Sequence, residues 1–285
     1  MAVAFTLTSH LFFEEQDYYQ MTLWDVGTGP YDGTDGNAPF ASALIGWKTL
    51  RGGRRVVNIA DSDNSPSCQL SELVIDNLIA SSHSAVIGLG TGRPLEKAVA
   101  ASLEYDLPKL DPSRTWMFGT GSEKISDFLQ YKHLEKVDQL VTQYAELRTT
   151  LGTDYLIKPD VTVSLPARHE WEPRFLHAAV SCKWTIRSDR VQNIRHENNQ
   201  MIRHRRERLP HLVTVTAEPL PTRLAAIARG TGEVDAVYHV AYDALDGAIA
   251  EAGFLTRDQK DAWEEVTEQG RVRPYSDLAK TLAFW

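Results

Sequence analysis

The chain has 285 residues, of which 42% are hydrophobic, enough to bury a substantial core in one large α/β domain or in two. Its net charge of -8 does not exclude a nucleic-acid partner, because affinity depends on the charge that faces the phosphates. Only two cysteines are present, and neither a secretory signal pattern nor an apolar run of membrane length occurs. We therefore expect a cytoplasmic protein without membrane contact.

The predicted elements alternate between strands and helices in the second half of the chain. Residues 27–40 and 61–67 are predicted loops because they are rich in turn formers, and residues 70–79 carry an apolar pattern. Hydrophobic periodicity then predicts these elements in order: strands at 155–165 and 177–186, a helix at 188–208, a strand at 210–218, a helix at 220–229, a strand at 236–241, and helices from Tyr242 onward. The fold class expected is α/β, with a mixed central β-sheet flanked by helices.

Two of these strands carry the residues of a hydrolytic site. Asp160 follows Pro159 in the first strand and Lys183 ends the second, so both can face one cleft if the strands are neighbours. A carboxylate is a hard oxygen ligand for Mg²⁺, and a lysine can orient the attacking water or stabilise charge at a phosphate. The spacing is typical of a PD…(D/E)xK nuclease, except that Ser181 occupies the acidic position of the second half.

A serine cannot replace the missing negative charge, so another carboxylate is needed. Glu197 is the best candidate, because it follows Arg190 by seven residues, or two helical turns, and projects from the same helix face. Glu72, in the apolar-patterned segment, is a second candidate that spacing alone does not place. Cys182 beside Lys183 also admits a thiol nucleophile, but no partner histidine is apparent, and a half-buried strand residue is the better interpretation.

The turn after the second strand is suited to reading bases. Arg187 and Arg190 each offer paired donors for O6 and N7 of guanine, and Asp189 can accept from N4 of cytosine. Ser188 is predicted to cap the following helix. Residues 183–208 contain eight Lys or Arg against three Asp or Glu, opposite in sign to the whole chain. Two subunits related by a dyad would read a palindrome with a CCGG core in double-stranded DNA.

The stretches LGTDYLIKPDVTV, SCKWTIRSDR, RLPHLVTVTAEPLPTR and ARGTGEVDAVYHVA resemble the NgoMIV family of type II restriction endonucleases, within the PD-(D/E)xK nucleases. The resemblance covers residues 125 to 245 and implies a restriction-endonuclease-like fold. We expect one domain over 1–285 with its core at about 65–245, an N-terminal segment that adds DNA contacts, and C-terminal helices used for packing or oligomer contacts.

The resemblance also implies roles for individual residues. Asp160, Lys183, Glu197 and the upstream Glu72 correspond to the family's catalytic or metal-site residues, with Ser181 in the same site and Cys182 lending its backbone carbonyl to a metal. The readers of the CCGG core correspond to Arg187, Asp189 and Arg190, and those of the outer G:C pair to Arg223 and Asp35.

The activity implied is Mg²⁺-dependent cleavage of GCCGGC after the first G, with one or two ions per active site and a four-base 5′ overhang. Homodimers that pair into a homotetramer and a cognate DNA methyltransferase are expected partners. Three alternatives stay open: a CCGG-centred endonuclease with different outer bases, a noncatalytic DNA-binding relative, and a repair or structure-selective nuclease.

Overall fold

A computed structural model of the chain describes residues 36–82 and 92–284. Its strands are β1 (Trp47–Thr49), β2 (Arg55–Val57), β3 (Met117–Thr120), β4 (Val161–Leu165), β5 (Phe175–Lys183), β6 (His211–Thr216), β7 (Ala236–His239) and β8 (Val272–Pro274). Its α-helices are α1 (Ala41–Leu44), α2 (Ser65–Ser82), α3 (Gly92–Leu110), α4 (His133–Gln143), α5 (Ala145–Leu151), α6 (Ser188–His204), α7 (Pro221–Ala228), α8 (Tyr242–Glu251), α9 (Arg257–Glu268) and α10 (Asp277–Phe284). Two short 3-10 helices span Ile125–Asp127 and Leu129–Tyr131.

A six-stranded mixed sheet in the order β3-β4-β5-β6-β7-β8 organises the protein. The first three strands are antiparallel neighbours, and β5 through β8 run parallel to one another. Each parallel pair is joined by helices: α6 links β5 to β6, and α7 links β6 to β7. The architecture confirms the predicted mixed sheet flanked by helices, and the carboxyl ends of β5 and β6 meet at one sheet edge.

The central strands are buried, as their high Val, Ala and Leu content predicts. In β5, Leu176 through Cys182 are all buried. Helix α2 packs against α8, and α3 packs across β3, β4 and β5. Among the described residues, no helix has the length and apolarity needed to cross a membrane.

The first predicted strand is shorter than expected. The strand begins at Val161 rather than at 155, and residues 155–160 form an irregular segment. Pro159 has no N–H to donate to a ladder, which accounts for the break immediately before Asp160. The segment is still held in place, because Ile125 N donates to Ile157 O and Gly121 N donates to Asp160 O.

The helix after β5 begins where predicted but is capped differently. Its N-cap is Arg187, whose side chain makes no capping hydrogen bond, so the prediction of Ser188 as the cap was wrong by one residue. The helix ends at His204 rather than at 208. Ile194 and Met201 are buried at helical spacing, which anchors α6 to the sheet.

Candidate active site

Asp160 and Lys183 meet at one end of the sheet, where β4 begins and β5 ends. Register in the β4–β5 pair places Val161 opposite Val180, so the residue before Val161 lies beside the end of β5. Lys183 Nζ donates to Asp160 Oδ2 at 2.6 Å, and Cys182 N donates to the same oxygen at 2.7 Å. Both side chains keep solvent access, with relative exposures of 26% and 22%. A carboxylate and an ammonium group are therefore presented together to solvent.

Two further carboxylates share this electrostatic environment. The pKa of Glu197 on α6 is raised chiefly by desolvation and further by the Asp160 charge, while Lys183 lowers it. Although Glu197 is exposed as a whole residue, neighbouring protein atoms crowd its carboxyl. The pKa of Glu96 on α3 is raised for the same two reasons, first by burial and then by Asp160, with Lys183 opposing. The pKa values of Glu96 and Glu197 thus both respond to the charges of Asp160 and Lys183.

The other two acidic-site candidates from the sequence, Ser181 and Glu72, differ in burial and in position. Ser181 is buried on β5, two residues before Lys183 and so on the same face of the strand. Glu72 is exposed on α2, and its carboxylate is not among the charges that shift the pKa of Glu96, Cys182 or Glu197. The charges of Asp160 and Lys183 act on Glu96, so Glu96 is a further candidate for the upstream acidic residue beside Glu72.

Cys182 is a poor candidate for a nucleophile. Its side chain is 3% exposed, on the strand face opposite Lys183. Burial, reinforced by Asp160, raises the pKa of its thiol well above the ordinary value. Because the thiolate is the reactive form, the interpretation as a structural strand residue is the better one, although the side chain is fully rather than half buried.

The predicted base-reading residues lie next to this site. Arg187 is exposed at the N-terminus of α6, and Asp189 is exposed in its first turn. Arg190 Nη1 donates to Thr185 O at 2.6 Å and to Thr185 Oγ1 at 3.3 Å, which holds its guanidinium over the turn. The side chain of Ser188 and the whole of Asp35 lie outside the described residues.

Arg223 on α7 joins this group through an unpredicted residue, Asp61. Arg223 Nη2 donates to Asp61 Oδ2 at 2.6 Å, and Arg187 Nη2 lies 3.5 Å from Asp61 Oδ1. The hydrogen bond from Arg223 is the largest cause that lowers the pKa of Asp61. A cavity of about 500 Å³ opens among these three side chains, with Thr222 also on its wall. We call Asp61, Arg187 and Arg223 the reading cluster, because base reading is expected of its two arginines.

The strand β5 also positions Asp61. Trp184, which follows Lys183, donates from Nε1 to Asn58 O at 3.2 Å and is buried. Asp61 N donates to Ser67 Oγ at 2.9 Å at the start of α2. The segment between β2 and α2 is thereby held against the end of β5.

Sequence reasoning missed Asp61 and Glu96. Residues 61–67 were recognised only as a turn-rich loop, and Glu96 lies in a helix that was not predicted. A local signal existed for each: an aspartate beside an Asp-Asn-Ser turn, and a glutamate among the apolar residues Leu95 and Val99 of α3. Neither signal identifies the distant residues of the chain that Asp61 or Glu96 would contact.

Comparison with known proteins identifies the family of the chain. The sequence matches the NgoMIV restriction enzyme family over residues 46–172 and 164–284. It is also 34% identical to the type II restriction enzyme NgoMIV of Neisseria gonorrhoeae over 262 residues, which cover 81% of this chain and 91% of that protein.

The chain belongs to the NgoMIV family of type II restriction endonucleases. It is therefore a site-specific deoxyribonuclease, a hydrolase that binds DNA, and the predicted family is confirmed. The family assignment favours the catalytic interpretation over a noncatalytic binder or a structure-selective repair nuclease. Both matched stretches include part of the β4–β5 connection, and together they contain every described residue of the site.

Proposed function

We propose that this enzyme hydrolyses both strands of duplex DNA at a palindromic CCGG-centred site, GCCGGC, after the first G. Such a cut leaves a four-base 5′ overhang. The observation that carries the proposal is the 2.6 Å contact between Lys183 and Asp160, in the connection that continues directly into Arg187. The residues proposed to cut DNA and to read its bases thereby lie close together, at the end of β5.

The residues of the cleft have separate tasks in this proposal. Lys183 orients the attacking water and stabilises charge at the scissile phosphate. Ser181 shares the strand face of Lys183 but supplies no charge. Water attacks phosphorus in line, the bond to the 3′ oxygen breaks, and the products carry a 5′-phosphate and a 3′-hydroxyl.

The donor set fits Mg²⁺, at one or two ions per site. Asp160, Glu197 and Glu96 offer hard oxygens whose mutual repulsion a divalent cation would relieve, and Cys182 offers a backbone carbonyl. No group of three His, Cys, Asp or Glu side chains within the described ranges stands ready to hold a metal. Waters and phosphate oxygens commonly complete the shell of Mg²⁺, which when bound supplies Lewis-acid stabilisation of the phosphate charge.

Base recognition is assigned to the N-terminus of α6 and to the reading cluster. Arg187 and Arg190 are proposed to donate to guanine O6 and N7 of the CCGG core, and Asp189 to accept from cytosine N4. Arg223 is proposed to donate to the outer guanine. Asp61, which accepts a hydrogen bond from Arg223, is proposed to accept from the outer cytosine, at the same outer G:C pair for which the resemblance implies Asp35.

A palindromic target favours a homodimer with one reading face per half-site. We propose that such dimers pair into a homotetramer and that a cognate DNA methyltransferase protects the host site. Sedimentation of the enzyme with and without a 20-base-pair duplex distinguishes dimer from tetramer.

The direct test is cleavage with Mg²⁺ of matched duplexes containing GCCGGC, ACCGGT or no CCGG, with the product ends mapped. Cutting of GCCGGC alone is the expected result, and chelation by EDTA should stop it. Cutting of another CCGG-centred duplex would retain the core assignment and reject the outer-base assignment. Failure to cut any CCGG duplex would reject the proposed target.

A further inference from the structure

Glu218 is a buried carboxylate that bridges the starts of the two helices carrying the base readers. Its residue is 0% exposed and lies two positions beyond the end of β6. Ile186 N donates to Glu218 Oε2 at 2.7 Å, and Leu220 N donates to Glu218 Oε1 at 3.1 Å. Ile186 immediately precedes Arg187, the N-cap of α6, and Leu220 is the N-cap of α7. One side chain therefore binds the backbone at both helix entrances.

The same carboxylate faces the reading cluster. Arg223 Nη1 lies 3.7 Å from Glu218 Oε2, while Nη2 of the same guanidinium donates to Asp61. Asp61 in turn lies 3.5 Å from Arg187. Acidic and basic side chains thus alternate from Glu218 through Arg223 and Asp61 to Arg187, and Glu218 is the fully buried member.

The backbone of Glu218 is itself fixed. Glu218 N donates to Thr216 Oγ1 at 3.1 Å, and Glu218 O lies 3.1 Å from Nε2 of the buried His239. Ala241 N donates to Nδ1 of that histidine, so Nε2 carries the proton and donates to Glu218 O. The pKa of His239 is lowered to about 4, chiefly by burial, which keeps the ring neutral. Strand β7 therefore holds the residue in place.

A buried carboxylate is costly, and packing alone would be served as well by an apolar side chain of similar size. What an apolar side chain cannot do is accept two backbone N–H groups at once. The bridging geometry requires a group with two acceptor oxygens in one plane, which a carboxylate provides.

We propose that Glu218 is a positioning residue that fixes the two base-reading helix entrances relative to each other and thereby sets the discrimination between DNA sites. The inference rests on the proposed base-reading roles of Arg187 and Arg223. It assigns Glu218 no contact with DNA and no part in hydrolysis. Its loss should weaken discrimination at the core and outer pairs together, unlike the loss of any single reader.

The test variant is Glu218→Gln, which preserves size but offers one acceptor oxygen and turns an NH₂ group toward the other backbone N–H. The matched control is Asp235→Asn. Asp235 Oδ2 accepts from Leu212 N at 2.8 Å near the opposite end of β6, so the control also replaces a carboxylate bound to a backbone N–H, away from both helix entrances.

The site that the wild-type enzyme cuts is mapped first, so that a wrong target would be recognised before any variant is examined. Single-turnover cleavage is then measured on that site and on duplexes with one changed base pair at each half-site position. In Glu218→Gln we expect discrimination to fall about tenfold at both core and outer positions, with Asp235→Asn at the wild-type ratio. Arg223→Ala should lower discrimination at one position only.

Thermal unfolding of each variant separates positioning from folding. A Glu218→Gln enzyme with a lower melting temperature but wild-type discrimination would overturn the proposal. If that variant does not fold, Glu218→Asp replaces it, because the shorter side chain keeps the charge and reaches only one of the two N–H groups. A Glu218→Asp enzyme that discriminates like the wild type would equally overturn it.

Discussion

Arg223 Nη2 lies 2.6 Å from Asp61 Oδ2, although the two residues are 162 positions apart in the chain. The contact unites the segment between β2 and α2 with the start of α7. Because Arg223 is bound on both sides by carboxylates, its guanidinium is oriented before DNA arrives. Such pre-organisation lowers the entropy lost on binding.

The first prediction concerns this pair. Arg223→Ala should relax selection of the outer base pair by about 1 to 3 kcal/mol, because a bidentate contact to guanine is lost. Cleavage of duplexes that differ only at the outer pair measures the change. The control is Arg229→Ala, since Arg229 ends α7 in an exposed ion pair with Glu265. A variant that kept the full outer-pair preference would contradict the assignment.

The second prediction concerns Lys183. Lys183→Ala should slow single-turnover cleavage by about 10²- to 10⁴-fold, because the group that orients water and stabilises phosphate charge is lost. DNA binding should persist, since the base readers are unchanged, and a gel-shift titration checks it. The exposed Lys136→Ala on α4 serves as the control for loss of a positive charge. Cleavage at the wild-type rate would show that the active site lies elsewhere.

The third prediction decides which upstream glutamate serves the site. Glu96→Gln should lower cleavage on the order of tenfold or more and raise the Mg²⁺ concentration needed for half-maximal rate, because Glu96 shares the field of Asp160 and Lys183. Glu104→Gln, on an exposed position of the same helix, is the control. A larger loss in Glu72→Gln than in Glu96→Gln would restore Glu72 to the role that the resemblance gave it.

The fourth prediction concerns stability and pH. Burial raises the pKa of Glu218 to about 7, against the lowering influence of Arg223 and of the Ile186 and Leu220 N–H groups, and Asp61 adds a small increase. The native state therefore holds a proton that the unfolded state releases near pH 4.5. His239, the histidine that contacts the Glu218 backbone, stays neutral above pH 5.

The contribution of that proton is fully present below about pH 4.5 and is lost as pH rises through 7. Relative to Glu218→Gln, the wild type should lose at most about 3 kcal/mol in free energy of unfolding over this range. Urea unfolding of both proteins from pH 5 to pH 8 measures the difference. A wild type that gains stability over the variant as pH rises would contradict the raised pKa.

The sequence predicted the local parts of the site well. Asp160 directly precedes β4 and Lys183 ends β5, two strands that pair directly, and the predicted recognition turn follows Lys183 without interruption, so patterning within 30 residues was sufficient. The predicted start of the first strand was wrong because Pro159 interrupts the ladder. Asp61 and Glu96 were missed because long-range packing of α2 and α3 places them, and no spacing rule encodes that packing.

The hairpin of β4 and β5 has a further consequence for how such enzymes diverge. The proposed cutting pair is carried by one hairpin, with Asp160 directly before β4 and Lys183 at the end of β5, and can therefore be inherited as a unit. The reading cluster needs three separate segments to converge. Substitutions around Asp61 and Arg223 can therefore change the preferred target sequence while the hydrolytic hairpin stays intact, so new specificities can arise without a loss of activity in between.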